Sequence, residues 1–356
     1  METKIKKIGL LTFHYSRYNF GAVLQTYSTY KSIERLGHIP HIVNYVPKVN
    51  TIKGKIWTIA MKFLGHRFDE FRKKYLPNIL HKTQTQNELI SLNNILDGFV
   101  VGSDQIWRYV DDHEKLCKYY LDFVDDDKLK ISYAASFGVD FWPTNKIKIT
   151  NRIKKLLQRF DSISVREQSG QKICKDIFEV GSLQVLDPTL LLSKKDFNDI
   201  ANPKRLSKSK YIAYMLLDDT KEQETYLKKI CKSNNLSFIR ILGKKIHNKR
   251  MMYAFNSVGD WLSYVRDSEL VITDSFHCLI FALIFQKNFA IVTNDRNGNT
   301  RLLNLLSLLN QENRIYNNLS DVPSTIISDK PDYSKIDVIL NIERKKSLDF
   351  LKNSLQ

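Results

Sequence analysis

An acid, a hydroxyl and an imidazole stand together where one buried element of this sequence gives way to the next. The stretch VITDSFHCLIFALIF begins like a buried strand and ends like an apolar helix, with Asp274, Ser275 and His277 between the two. Asp274 and Ser275 can cap this helix, and capping is their simplest role. Capping does not require His277. A packed histidine is the alternative, but an imidazole at an anion-attracting helix start can also act as a general acid–base.

A basic and an acidic side chain follow two other buried stretches. Arg166 comes directly after SISV, where a guanidinium can bind a carboxylate or phosphate through two parallel hydrogen bonds. An internal salt bridge with Glu167 or Asp161 is the alternative. Asp187 stands in VLDPTLLL, where a turn with Pro188 is a sufficient explanation.

The stretch VVGSDQIW places Ser103, Asp104, Gln105 and Trp107 just beyond a buried strand. Asp104 could simply cap a helix. A carboxylate, an amide and an indole at one strand end also suit a sugar, since polar groups bind hydroxyls and an aromatic face covers the ring. The sequence therefore predicts a sugar-binding group here.

The first loop-to-helix junction, HYSRYNFGAVLQ, carries Asn19 and Gly21. Backbone N–H groups at such a helix start could face a ligand, although a glycine there can also serve only a tight turn. The sequence contains neither the GxGxxG dinucleotide pattern nor a phosphate-binding P-loop.

The elements that would position these residues alternate between strand and helix. Strand patterns such as KKIGLLTF and LVIT are apolar without alternation, as in strands buried on both faces. Alternating strands and helices predict an α/β fold with two doubly wound, Rossmann-like domains facing across a cleft. We expect an N-terminal domain over 1–200 carrying the predicted sugar-binding group, a C-terminal domain over 201–330 carrying His277, and an amphipathic helix over 331–356 that packs back on the first domain.

Composition narrows the class of protein. The 356 residues carry 55 Lys and Arg against 38 Asp and Glu, a net charge of +17, which favours anionic partners. The charge is dispersed and no nucleic-acid-binding motif appears, so we expect no nucleic acid. Four distant cysteines and scattered histidines predict reduced thiols in a cytoplasmic protein without a structural metal.

Together these motifs resemble the polysaccharide pyruvyl transferase family. The resemblance runs from IGLLTFHYSRYNFGAVLQ through VVGSDQIW, YAASFG, ISVREQSG and VLDPTLLL to ITDSFHCLIFALIF and RLLNLL, roughly the first 310 residues. It implies a two-domain fold like the GT-B glycosyltransferases. It also implies phosphoenolpyruvate as co-substrate, no further cofactor, and a hexose of a capsule or exopolysaccharide, or of its lipid-linked precursor, as acceptor.

The resemblance also implies roles for single residues. His277 resembles the histidine taken as catalytic in the family, with Asp274 beside it, and Arg166 resembles an arginine linked to donor binding. Several members carry an arginine two residues before the histidine, where this sequence has Ser275. Arg301, Lys287 or Arg296 is expected to supply the missing charge next to Ser275.

Two other classes remain open at this stage. A nucleotide-sugar glycosyltransferase would share the architecture and would turn over a different donor. A non-catalytic protein that binds anionic glycans or nucleic acid would exploit the net charge and show strongly salt-dependent binding without phosphate release.

The segment KGKIWTIAMKFLGHRFDEFRKKYL contains a helical apolar stripe formed by Trp57, Met61, Leu64, Phe68 and Phe71. The simpler interpretation packs this stripe into the N-terminal domain. The alternative is a basic amphipathic face at the anionic inner surface of the cell membrane. Gly65 favours two short helices over one long helix.

Overall fold

A computed structural model describes residues 4–49, 51–143, 145–217, 221–247, 252–293 and 299–356. The chain forms two compact units. Unit 1 comprises Met1–Thr58, Arg72–Leu191 and Asn341–Gln356, and unit 2 comprises Ile59–Phe71 and Leu192–Leu340. The domains predicted over 1–200, 201–330 and 331–356 differ from these units, because residues 59–71 belong to unit 2 and residues 341–356 belong to unit 1.

The core of unit 1 is a six-stranded sheet with the order β2-β1-β3-β4-β5-β6, and every adjacent pair is parallel. The buried, non-alternating strand patterns therefore predicted the sheet correctly. Its strands are β1 (Lys7–Leu11), β2 (Ile39–Ile42), β3 (Gly98–Val101), β4 (Leu129–Ala135), β5 (Ser162–Val165) and β6 (Leu183–Gln184).

The helices before β6 connect these strands. Gly37 ends the first helix as predicted, since its φ of 89° lies in the left-handed region that glycine adopts without strain. The helices are α1 (Phe20–Arg35), α2 (Ile52–Leu64), α3 (His66–Tyr75), α4 (Gln86–Ile90), α5 (His113–Lys118), α6 (Ile147–Leu157) and α7 (Gln168–Asp176), with 3₁₀ turns at Ser91–Asn94 and Pro188–Leu191.

The core of unit 2 is a second parallel sheet with the order β13-β12-β11-β7-β8. An antiparallel hairpin, β9 with β10, was not predicted. The strands are β7 (Tyr211–Met215), β8 (Ser237–Arg240), β9 (Gly243–His247), β10 (Met252–Phe255), β11 (Leu270–Thr273), β12 (Asn288–Val292) and β13 (Ile315–Tyr316).

The remaining helices flank the second sheet or end the chain. They are α8 (Lys194–Asn198), α9 (Lys221–Asn234), α10 (Val258–Arg266), α11 (Phe276–Ile284), α12 (Thr300–Leu308) and α13 (Tyr333–Ser354), with 3₁₀ turns at Glu312–Arg314, Leu319–Asp321 and Ser324–Ile327. Within unit 1, the Ser347 hydroxyl of α13 accepts the Leu186 N–H at 2.9 Å, so the end of this helix packs near the carboxyl end of β6. None of the helices among the described residues is both long and apolar enough to cross a membrane.

The stripe in the segment before Tyr75 is divided between two helices, because α2 ends at Leu64 and α3 begins at His66. Met61, Phe68 and Phe71 are buried, whereas Trp57 is 37% exposed. Phe68 packs edge-on against Phe255 in unit 2 at 6.2 Å between ring centroids. The interpretation that packed the whole stripe into the N-terminal domain is therefore wrong, because its buried members belong to unit 2.

Candidate functional site

The carboxyl edge of the unit 1 sheet carries a buried network of polar side chains. Nη1 of Arg166 lies 2.8 Å from Oδ2 of Asp187, and the Ser103 hydroxyl donates to the same oxygen at 3.3 Å. Parallel pairing brings these groups together, since the carboxyl ends of parallel strands meet at one edge. The internal salt bridge of Arg166 is thus present, with Asp187 as its nearest partner and Glu167 at 3.8 Å.

The charge of Arg166 is held by its surroundings. Burial lowers its pKa, but the carboxylates of Asp187, Glu167 and Asp104 raise it by more, so the pKa lies above its usual value. Only 2% of the side chain is exposed. Donor binding by Arg166 stays a prediction, and the structure shows this guanidinium engaged with carboxylates of its own unit.

Ser103 is held by residues that sequence reasoning missed. Its N–H donates to Oε1 of Gln25 at 3.1 Å, and its carbonyl accepts the Thr12 hydroxyl at 3.1 Å. Nε2 of Gln25 in turn donates to Oγ1 of Thr12 at 2.8 Å. A buried glutamine in the apolar face of α1 was the one available signal, because a buried amide needs partners.

Glu167 joins the ends of β4 and β5. Its Oε1 accepts the Ser136 hydroxyl at 2.8 Å and the Phe137 N–H at 3.0 Å. The sequence offered Glu167 only as a partner of Arg166. Its second function, fixing the loop after β4, depends on strand neighbours and had no local signal.

Asp104 and Gln105 lie at the same edge, as predicted. Asp104 has a φ of 74°, a conformation that costs a non-glycine residue free energy and clusters at functional sites. Its Oδ1 accepts the Gln105 N–H at 2.8 Å, and its side chain is not at the start of a helix. Gln105 is half-buried and accepts a hydrogen bond from Nη1 of Arg108 at 3.0 Å.

Trp107 does not present its ring to a ligand. The indole is fully buried, stacks on Tyr120 at 5.1 Å and donates its N–H to the Tyr119 carbonyl at 2.9 Å. The prediction that Trp107 covers a sugar ring therefore does not hold in this structure. Its neighbours are core residues that the alternation of strand and helix could not identify.

The start of α1 shows Asn19 as a helix cap. Oδ1 of Asn19 accepts the Ala22 N–H at 3.1 Å, which satisfies one of the unpaired donors of the first turn. Gly21 is buried within that turn. The acceptor-binding role predicted for both residues stays a prediction.

A cavity of about 220 Å³ opens beside this edge of unit 1. Gln105 lines it together with the aromatic side chains of Phe13 and Tyr119 and the cationic side chains of Arg108 and Lys115. The rest of the lining is aliphatic, and Tyr119 is only 1% exposed, so the cavity presents one amide, one aromatic ring and two cations among apolar side chains. Among the predicted acceptor residues, the cavity includes Gln105.

His14 is a buried histidine near the same sheet edge that the sequence did not single out. Its Nε2 lies 3.1 Å from Oδ1 of Asn44, and its Nδ1 lies 3.2 Å from the carbonyl oxygen of Thr12. Burial lowers its pKa to about 4, so His14 is neutral near neutral pH.

In unit 2, His277 is the second residue of α11, which begins directly after β11. The imidazole is 7% exposed and packs edge-on against Phe276 at 5.3 Å between ring centroids. The strand-to-helix transition predicted for this stretch is confirmed. It places the imidazole at the end of the helix where backbone N–H groups point outward.

The side chains of Asp274 and Ser275 do not cap α11 as the sequence predicted. Ser275 is the N-cap residue of α11, but its side chain makes no capping hydrogen bond. Both carboxylate oxygens of Asp274 accept the Leu217 N–H, at 3.0 and 2.9 Å. Asp274 therefore ties the loop after β7 to the loop after β11, and this bond supports the position of the following helix.

Of the cations expected to replace the arginine missing at Ser275, Arg301 lies near the start of α11. Its guanidinium lies 5.7 Å from the ring centroid of Phe276, the neighbour of His277. Lys287 follows the other end of α11, where its N–H donates to the Ala282 carbonyl, so it cannot serve this site. Arg296 lies outside the described residues.

The predicted absence of a metal site rests on the sequence. Among the residues that the structure describes, no three His, Cys, Asp or Glu side chains are grouped as a metal ion would need. The four cysteines are buried thiols, and burial raises the pKa of Cys278 to about 12. Such thiols are poor nucleophiles, so Cys278 is not a candidate catalyst despite its place beside His277.

The sequence model of the polysaccharide pyruvyl transferase family matches residues 19–296. This range contains Arg166 and His277, and Arg301 lies just beyond its end. No curated protein sequence matches the chain.

Solved structures resemble the fold at low sequence identity. Arabidopsis thaliana UGT89C1 complexed with UDP has a TM-score of 0.53 at 10% identity, covering 99% of this chain and 100% of that chain. UDP-GlcNAc 2-epimerase from Neisseria meningitidis bound to UDP-GlcNAc has a TM-score of 0.50 at 10% identity, covering 96% and 94%. At this identity the likeness shows the fold alone, the two-unit α/β architecture of GT-B glycosyltransferases and epimerases.

Proposed function

The chain belongs to the polysaccharide pyruvyl transferase family, and we propose that it moves the pyruvyl group of phosphoenolpyruvate onto a hexose of a surface polysaccharide or its lipid-linked precursor. The product is a pyruvate ketal that bridges two hydroxyls of one sugar. The observation that carries the proposal is local to unit 2. His277 occupies the first turn of α11, and the Arg301 guanidinium lies against Phe276 beside it.

The reaction needs a proton donor that later recovers a proton. Protonation of the methylene carbon of phosphoenolpyruvate makes its second carbon electrophilic, and a sugar hydroxyl oxygen bonds to that carbon. The bond from this carbon to the phosphate oxygen then breaks, and a second hydroxyl closes the ketal. One hydroxyl proton ends on the new methyl group and the other on phosphate, so a single imidazole that cycles between acid and base is sufficient. We assign this role to His277.

The donor's carboxylate and phosphate need cations or N–H groups. In the proposal, Arg301, the Ser275 hydroxyl and the N–H groups of the first turn of α11 bind these anions, because the start of a helix attracts negative charge. Asp274 acts as a positioning residue, since its carboxylate holds Leu217 and thereby the loop before α11. Arg166 remains a candidate for binding the donor. To take this role, its guanidinium must give up part of its ion pair with Asp187.

The acceptor is assigned to unit 1. The 220 Å³ cavity provides Phe13 for the sugar ring and Gln105 for a hydroxyl. Arg108 and Lys115 favour an acceptor with a nearby negative charge, such as a uronic acid or a phosphate. Asp104, Ser103, Asn19 and Gly21 are proposed to shape the loops around this cavity.

The proposal is tested with purified protein, phosphoenolpyruvate and a panel of lipid-linked glycans. We expect phosphate release that depends on the glycan, and mass spectrometry should show a product heavier by one pyruvate ketal. The control reactions replace phosphoenolpyruvate with UDP-glucose or UDP-N-acetylglucosamine. Transfer of a hexose from a nucleotide sugar, without transfer from phosphoenolpyruvate, would overturn the proposal.

A further inference from the structure

Helix α2 has an exposed apolar face. The Thr51 hydroxyl begins the helix by accepting the Gly54 N–H at 3.1 Å. The exposed side chains are Ile52 (79%), Ile56 (62%), Ile59 (57%) and Phe63 (75%). Their spacing of four, three and four residues places them within about 60° of arc at 3.6 residues per turn. These four residues, the α2 stripe, differ from the stripe that the sequence analysis identified.

The opposite side of α2 packs against the rest of the protein. Met61, which lies about 170° around the helix from the centre of the α2 stripe, is 3% exposed. The following helix is anchored by Phe68 and Phe71, which are 0% and 5% exposed. The chain thus holds α2 by one face and leaves an apolar face in water, an arrangement that marks interaction surfaces.

The charged side chains of α2 are all lysines. Lys55 and Lys62 lie about 70–90° to one side of the stripe and Lys53 lies about 90° to the other, and all three are exposed. No aspartate or glutamate occurs between Glu34 and Asp69. An apolar stripe bordered only by lysines complements a surface that is apolar inside and anionic at its rim.

We propose that α2 binds an anionic lipid bilayer, lying in the plane of the membrane with the α2 stripe among the acyl chains. Lys53, Lys55 and Lys62 then extend their methylene chains along the apolar zone and place their ammonium groups among the lipid phosphates. This surface is separate from the strand-end residues to which the reaction is assigned. The inference goes beyond the proposed function, and its test needs neither donor nor acceptor.

The first experiment is co-sedimentation of the purified full-length protein with sucrose-loaded vesicles. The vesicles contain phosphatidylcholine alone or phosphatidylcholine with about 30% phosphatidylglycerol. We expect binding to the anionic vesicles that weakens as salt rises, because screening reduces attraction between lysines and lipid headgroups. Equal sedimentation with both lipids, or none with the anionic vesicles at low salt, would overturn the proposal.

Charge reversal tests the lysine border. Changing Lys53, Lys55 and Lys62 together to Glu should lower the partition coefficient on the anionic vesicles by on the order of 100-fold, since each lysine near the surface contributes about fivefold. The matched control changes Lys204, Lys208 and Lys210 to Glu, which are exposed and alter the net charge equally. An equal loss in the control would show that overall charge, and not α2, drives binding.

Removal of the apolar side chains tests the α2 stripe. The triple variant Ile56→Ser, Ile59→Ser and Phe63→Ser should reduce binding at least about tenfold, because each lost side chain removes apolar burial in the acyl region. The control is Val338→Ser with Ile342→Ser, which are 59% and 63% exposed on α13. Unchanged binding of the triple variant would contradict the proposal.

A further variant reports binding through a new fluorescence signal, so the test does not depend only on variants that lose binding. Phe63→Trp keeps an apolar side chain at an exposed position, and its fluorescence should shift to the blue with anionic vesicles and be quenched by brominated lipid. Ile342→Trp on α13 should show neither effect. If instead Phe63→Trp shifts on raising the protein concentration without vesicles, the face joins two copies of the chain and the membrane proposal is wrong.

Discussion

The carboxyl edges of the two sheets use their polar residues differently. In unit 1, Arg166, Asp187 and Ser103 bond to one another in a buried network. In unit 2, the bond from Leu217 to Asp274 fixes a loop, and the next residues place His277 at the start of α11. The comparison teaches that polar residues at strand ends can bond to one another in a buried network, as in unit 1, or can fix a loop ahead of a helix start, as in unit 2, where we propose proton transfer by His277.

The largest expected effect comes from His277. We expect His277→Ala to lower kcat for pyruvyl transfer by about 10²–10⁴-fold while the melting temperature stays near that of the wild type, because a general acid–base is lost. Phosphate release measures the rate. The control is His81→Ala, an exposed histidine in unit 1. A variant that retains wild-type kcat would make His277 a packing residue and remove the contrast between the two edges.

The next effect concerns the support in unit 1. Asp187→Asn leaves Arg166 buried with a weaker partner and should lower the free energy of unfolding by about 3 kcal/mol, near the lower end for a broken buried pair, since Glu167 remains at 3.8 Å. Urea denaturation measures this change. Full stability in the variant would show that the ion pair does not hold this edge.

Arg166→Lys separates support from donor binding. Lysine keeps the charge but loses the planar fork, so a donor ligand at this position should lose affinity for phosphoenolpyruvate when tested by calorimetry. Unchanged affinity together with reduced stability would assign Arg166 to the network alone. That outcome would sharpen the comparison, because the donor would then depend on unit 2.

Because His14 of unit 1 is buried, we expect the free energy of unfolding to depend on pH. Its pKa in the folded protein is about 4, below the 6.5 of an unfolded histidine, so the unfolded chain takes up a proton first as pH falls. The stability contributed by neutral His14 is present above pH 6.5 and is lost between pH 6.5 and 4, by about 3 kcal/mol. Denaturation of wild type and His14→Gln across this range should show the difference. Parallel curves would contradict it.

The smallest expected effect concerns Arg301. Arg301→Gln should raise KM for phosphoenolpyruvate about tenfold and change kcat less, because a charged contact to the donor is worth about 1–2 kcal/mol. Lys287→Gln is the matched control, since that cation follows the opposite end of α11. If KM were unchanged in Arg301→Gln, a cation outside the start of α11 would have to replace the arginine missing at Ser275.

Much of the fold could be predicted from the sequence because the signals were local. The apolar strands, the helix that Gly37 ends, and α9 over Lys221–Asn234 follow from periodicity and capping. The β9–β10 hairpin was missed, because GKKIHNKRMMYAF is basic and has no clear alternation. In the site, the same signals located His277 at the start of α11.

The chain alone determined most of the order of strands and helices, the family resemblance and the strand ends at which polar residues gather. The tertiary structure decided their partners. Gln25 meets Ser103 across 78 positions of sequence, Trp107 is covered by Tyr120, and the α2 stripe points outward although its neighbour Met61 is buried. The reason is physical. Periodicity and propensity describe a residue's own helix or strand, whereas burial and hydrogen bonding depend on which distant segment packs against it.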